Sequence, residues 1–140
     1  MKLRIATCLI AFCLAPAALA QSSIALGQPD NVARDGVSFG IAYNQPDHDA
    51  ADARAMAECR NGPDVTPAAR DRCAVIVRFD NRCVAIALDP RAGTHGFGWA
   101  VFDRQEDADD VAIANCRATA REQRDYCVIT TRRCDGRGGR

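Results

Sequence analysis

Cys73-Ala74-Val75-Ile76-Val77-Arg78-Phe79-Asp80-Asn81-Arg82-Cys83 runs straight into Val84-Ala85-Ile86-Ala87-Leu88. Two β-branched runs, each opened by a cysteine, meet at Asp80-Asn81. The pattern predicts an antiparallel hairpin over 73–88, central in its sheet and with two covalent anchor points. A related segment returns as Cys127-Val128-Ile129-Thr130-Thr131-Arg132-Arg133-Cys134.

Working outward, each of these segments is preceded by an alanine-rich stretch with helical spacing. Ala51, Ala55, Met56 and Cys59 correspond to Ala108, Ala112, Ile113 and Cys116. Positions i, i+4, i+5 and i+8 form one stripe on a helix, so each helix should bury a narrow face of small residues and its cysteine. The strands before the helices also match, Gly40-Ile41-Ala42 with Gly98-Trp99-Ala100. The chain therefore reads as an internal repeat over 36–88 and 96–134. The expected fold is α+β, with two βαβ(β)-type repeats forming one mainly antiparallel sheet and two helices packed on one of its faces.

Helix boundaries follow from caps and breakers. Asp47 or Asp49 caps a helix from about Asp49 to Arg60, which Asn61-Gly62-Pro63 stops. Thr66-Pro67 marks one short turn. A longer helix is predicted from Glu106 to Arg124, between strands at Phe97–Phe102 and Tyr126–Thr131. Residues 21–35 lack periodicity and read as a flexible lead-in, and residues 135–140 as a frayed tail.

The N-terminus reads as a secretory signal. Lys2 and Arg4 precede an apolar run from Ile5 to Leu14, and Ala18-Leu19-Ala20 fits a cleavage site before Gln21. The run is shorter than the roughly 20 residues a bilayer span needs. Export to the periplasm or the exterior is expected, with no stable membrane insertion after cleavage. Cleavage leaves six of the eight cysteines: Cys59, Cys73, Cys83, Cys116, Cys127 and Cys134. An even set in a small exported chain predicts disulfides. The absence of a C-x-x-C pair, with His48 and His95 far from the cysteines, argues against zinc. No metal and no cofactor is expected. Six cysteines permit many pairings, but the repeat favours Cys59–Cys73 and Cys116–Cys127, leaving Cys83–Cys134 to tie the halves together.

Removing Lys2 and Arg4 leaves sixteen arginines, no lysine and eighteen acids. Arginines crowd the C-terminal part of the chain. Their binding to an anionic polymer would be steeply salt-dependent, but a solvated face explains them equally well, and no nucleic-acid partner is expected.

The motifs Phe39-Gly40-Ile41-Ala42-Tyr43, A-x-x-x-A-M-x-x-C (Ala51 to Cys59), Asn81-Arg82-Cys83-Val84-Ala85-Ile86-Ala87 and Gly96-Phe97-Gly98-Trp99 resemble the family termed domain of unknown function 4189. The likeness continues through A-x-x-x-A-I-x-x-C (Ala108 to Cys116) and Cys127-Val128-Ile129, covering about residues 37–134. The resemblance implies an exported, disulfide-bonded small domain and transfers no catalytic residue.

Chemistry has little support in the residues. Ser38 lacks a nucleophile-elbow context, and Gly93-Thr94-His95-Gly96 lacks the lysine of a phosphate loop. No catalytic residue is assigned and no enzymatic activity is expected. The expected role is an exported binding module that engages another protein or an envelope component; an inhibitor, an immunity-type protein and a host-directed factor all fit. His95, Phe97 and Trp99 form the candidate ligand patch. The alternative is a small hydrolase of cell-envelope polymer using Asp47, Asp103 and Glu106 with His95. The sequence carries no signal for oligomeric state.

Overall fold

Alternation of large and small apolar residues along two short segments sets the architecture. Ile24 and Leu26 alternate with Ser23 and Ala25 on the strand Gln21–Gly27 (β1); Val84 and Ile86 alternate with Cys83, Ala85 and Ala87 on Cys83–Leu88. Side chains of a strand point alternately to its two faces. Each segment therefore offers one bulky and one small-residue face, and both faces are buried.

The computed structural model describes residues 20–120 and 126–139. After β1 come a short helix Val32–Asp35 (α1), the strand Ser38–Gln45 (β2), the helix His48–Asn61 (α2), the turn Pro67–Arg70 (α3) and the strand Ala74–Asp80 (β3). Then follow β4, at Cys83–Leu88, the strand Phe97–Phe102 (β5), the helix Gln105–Thr119 (α4) and the strand Val128–Cys134 (β6). The expected signal segment and the expected end of the last helix at Arg124 lie outside the described residues.

The α+β class holds, with three disulfides, but the single sheet does not. There are two antiparallel three-stranded sheets, ordered β2-β1-β3 and β5-β4-β6. Their bulky faces meet in a core of Ile24, Leu26, Ile41, Phe79, Val84, Ile86 and Phe97. The helices occupy the two outer faces. Alpha-2 lies on Ala25 and Ala42, and α4 on Ala85, Ala87 and Ala100. The reason is the alternation itself: a strand buried on both faces needs a layer on each side.

The expected hairpin over 73–88 is also corrected. Beta-3 pairs with β1, whereas β4 pairs with β5 and β6. Asp80-Asn81-Arg82 thus crosses between sheets, with Asn81 at φ 53°. Beta-4 is central, as expected; β3 is an edge strand.

Residues 21–35 are not a flexible lead-in, because β1 is the central strand of its sheet. Its two serines are fully buried and satisfied by remote carboxylates: Ser22 donates to Asp135 at 2.7 Å and Ser23 to Asp52 at 2.5 Å. The repeat boundaries move accordingly, from 36–88 and 96–134 to halves running β1 to β3 and β4 to β6. Ser23-Ile24-Ala25-Leu26 matches Ala85-Ile86-Ala87-Leu88, and the ladder to the third strand shifts register at the same place, Ile24/Ala25 and Ile86/Ala87. The ion pairs repeat too: Asp52–Arg78 and Asp109–Arg132 each join the helix to the third strand.

Glycine is required where helix backbone sits on strand backbone. A Cβ on Gly40 would lie 2.1 Å from the Ala55 carbonyl oxygen, and one on Gly98 would lie 2.3 Å from that of Ala112. The disulfides are Cys59–Cys73, Cys116–Cys127 and Cys83–Cys134, as the repeat predicts. With β4 in the second half, however, Cys83–Cys134 clips neighbouring strands of one sheet instead of joining the halves.

Residues 135–139 are pinned, not frayed. Asp135, 1% exposed, accepts from the Arg82 N–H at 2.7 Å as well as from Ser22. The N–H groups of Gly136, Arg137 and Gly139 donate to Asn44, Asn81 and the Asp103 carbonyl. This segment, bonded to strand ends of both halves, performs the joining that was expected of the disulfide.

Candidate functional site

Odd-numbered residues entering β5 share one side of the strand, so His95, Phe97 and Trp99 fall in a row. Phe97 is buried in the core between the sheets, Trp99 packs half-buried against that core, and His95 is half-buried. The expected patch is therefore partly corrected: Phe97 is a core residue, only 6% exposed. The row borders two adjoining cavities of about 300 and 400 Å³, which share Gln28, Phe97, Ala118 and Thr119. His95 lines the smaller, Trp99 and Asn115 the larger.

The C-terminal turn of α4 builds the opposite wall and ties down the strand. Thr119 Oγ1 accepts from the Phe97 N–H at 2.9 Å and is 2.8 Å from the Phe97 carbonyl oxygen, while Asn115 donates to the Trp99 carbonyl at 3.0 Å. Gln28 enters from the segment after β1, so both halves of the repeat contribute to this groove. Sequence reasoning missed Gln28, Asn115 and Thr119. Superposing the helices on Cys59 and Cys116 pairs Asn115 with Glu58, and that pairing was the available signal.

The groups proposed for hydrolysis are not brought together. Asp47 caps α2, accepting from the Ala50 N–H at 2.7 Å. Asp103 is exposed and pairs with Arg82 at 3.2 Å; Glu106 pairs with Arg104. His95 precedes β5 and Asp103 follows it, a separation of about 26 Å along an extended strand. Among the described residues, no three His, Cys, Asp or Glu side chains cluster to hold a metal ion. Several C-terminal arginines are engaged: Arg132 pairs with Asp109 at 3.2 Å, and Arg133 lies 5.2 Å from the Tyr43 ring centre.

Perturbed titrations lie away from the groove and have structural causes. The hydrogen bonds from Arg78 and Ser23 hold the Asp52 carboxyl below its ordinary range against desolvation, with Arg78 the larger influence. Arg91 does the same for Asp89, whose side chain is fully buried. Burial pushes Asp135 up despite its hydrogen bonds, and it pushes the Tyr43 hydroxyl up to about 12.

The first half carries the counterpart groove. Phe39, Glu58 and Asn61 stand where Phe97, Asn115 and Ala118 stand in the second half, beside a cavity of about 640 Å³ that also meets Arg54 and Pro63. The two grooves follow from one motif, a glycine-bearing edge strand under the last turns of an alanine-faced helix.

The sequence profile of the family described as Domain of unknown function (DUF4189) matches residues 24–134. The chain belongs to this family. The match begins within β1 and ends at the last residue of β6, so the DUF4189 domain comprises both halves of the repeat. No curated protein and no solved structure matches the chain.

Proposed function

We propose that this DUF4189 domain is an exported, disulfide-stapled binding module, with the β5–α4 groove as its working surface. The carrying observation is the contrast between its polar groups. The carboxylates at Asp47, Asp52, Asp89 and Asp103 are committed to caps and arginine pairs. His95, Trp99 and Gln28 instead converge on one opening. An apolar floor with a few polar groups on its rim suits recognition of a shaped surface or chain end. It offers no paired acid and base. Export is supported by the signal-like start of the sequence and by three disulfides, which persist in oxidising compartments. No helix among the described residues is long and apolar enough to cross a membrane. The partner class is another protein or an envelope component, in the periplasm or outside the cell.

Trp99 is the only tryptophan, so its emission reports on the groove directly. Titrating the mature oxidised protein with fractionated envelope or host extract should give a saturable shift in emission with one fraction, weakened by His95→Ala. Binding that leaves Trp99 emission and the His95→Ala variant unaffected would move the working surface elsewhere.

A further inference from the structure

The two grooves differ at the strand edge they expose, and the difference is chemical. Beta-2 and β5 are both edge strands. In an antiparallel ladder every second residue directs its N–H and C=O away from the paired strand. On β5 those residues include Phe97 and Trp99, and side chains bond part of them: Thr119 bonds the Phe97 N–H, and Asn115 bonds the Trp99 carbonyl. On β2 the equivalents are Phe39 and Ile41. Glu58 accepts from the Ile41 N–H at 3.3 Å, the mirror of the Asn115 contact. At Phe39 the mirror fails, because Gly62 stands in the place of Thr119 and has no side chain to offer. Among the described residues the outward N–H and C=O of Phe39 have no partner, and they border a cavity of about 640 Å³.

An unpaired strand edge is a template for another strand. We propose that the β2 edge is a self-association surface, joining two copies of this chain through antiparallel β2–β2 pairing centred on Phe39. Placed opposite its own counterpart, Phe39 exchanges both N–H···O bonds with it, so one contact satisfies both copies and leaves the Ile41–Glu58 bond intact. The rim of the groove is also its own complement. Arg54 and Glu58, one turn apart and paired at 3.0 Å, expose one cation and one anion, as a two-fold contact between identical surfaces requires. On β5 the equivalent N–H is already taken by Thr119, so the second half does not offer this contact.

The test is the mass of the mature oxidised protein by sedimentation velocity across a concentration series, with amide exchange read alongside. The expected mass at high concentration is twice that of one chain. The Phe39 amide should exchange more slowly as dimer forms, while the Phe97 amide stays equally protected throughout. Arg54→Glu, at a side chain 64% exposed, makes the rim wholly acidic and should leave a folded monomer. Arg54→Lys keeps one charge of each sign and the Ile41–Glu58 bond, and should keep the dimer. A monomer at every concentration would overturn the proposal. So would a dimer in which Phe39 exchange is unchanged or which survives Arg54→Glu, and so would an extended segment of a different protein occupying this edge on a monomeric chain.

Discussion

A single methyl group decides whether each helix can seat. Gly98 has the Ala112 carbonyl oxygen and the Cys116 nitrogen where its Cβ would be, both at 2.3 Å and both backbone. Gly98→Ala is therefore predicted to cost about 3 kcal/mol, the upper part of the overpacking range, read as a shift in denaturation midpoint of the oxidised protein. A change within experimental error would mean that α4 sits further from the sheet. Acids set the pH response with opposite signs. Asp52 and Asp89 have folded-state values below their ordinary one, so their contribution is present above that range and is lost as pH falls through the folded values. Asp135 is raised, so its contribution is present at low pH and is lost as pH rises through its folded value. Asp52→Asn should weaken the fold at neutral pH by about 1 kcal/mol, the size of a typical hydrogen bond, with the deficit vanishing in acid. Asp135→Asn should show a relative gain at neutral pH that disappears in acid. Urea melts at two pH values check both, and parallel pH profiles for wild type and variants would refute the assignment.

Among the elements, β1 matters most and was hardest to read. Ile24→Ala is predicted to cost about 3 kcal/mol, as a buried aliphatic truncation does, and Ile86→Ala a similar amount, because the two residues occupy equivalent places in one core. Measured by chemical denaturation, a negligible effect at Ile24 would return residues 21–27 to a peripheral role. The helices were legible because an alanine stripe ending in cysteine leaves little choice of face, and Thr66-Pro67 because cap and first-turn chemistry are local. The cysteine pairing followed from the repeat. Beta-1 escaped because Ser22 and Ser23 read as surface residues. Their partners, Asp135 and Asp52, lie 113 and 29 residues away, and nothing local announces them. The 73–88 hairpin failed for a related reason: each strand prefers a ladder supplied by a more distant segment, β1 for one and β5 for the other. For the candidate site, the sequence pointed to His95 and Trp99. The walls from Gln28 and Asn115 needed the fold: Gln28 comes from the other half, and Asn115 from the helix turn that seats on β5.

The whole molecule is two copies of one small unit, sharing a core and stapled individually. Cys59–Cys73 and Cys116–Cys127 span similar separations, 14 and 11 residues, so removing either by double Ser substitution should cost about 3 kcal/mol in the loop-entropy account. Thermal melts check this, and a large asymmetry between the two would argue that the halves are not equivalent in stability. Binding without chemistry is the central claim, and co-sedimentation of the mature oxidised protein with isolated cell envelope tests it most directly, with soluble fragments assayed in the same supernatants. The predicted result is saturable retention, reduced by His95→Ala, with no time-dependent release of fragments. Steady release of soluble envelope fragments, or retention indifferent to His95, would contradict it.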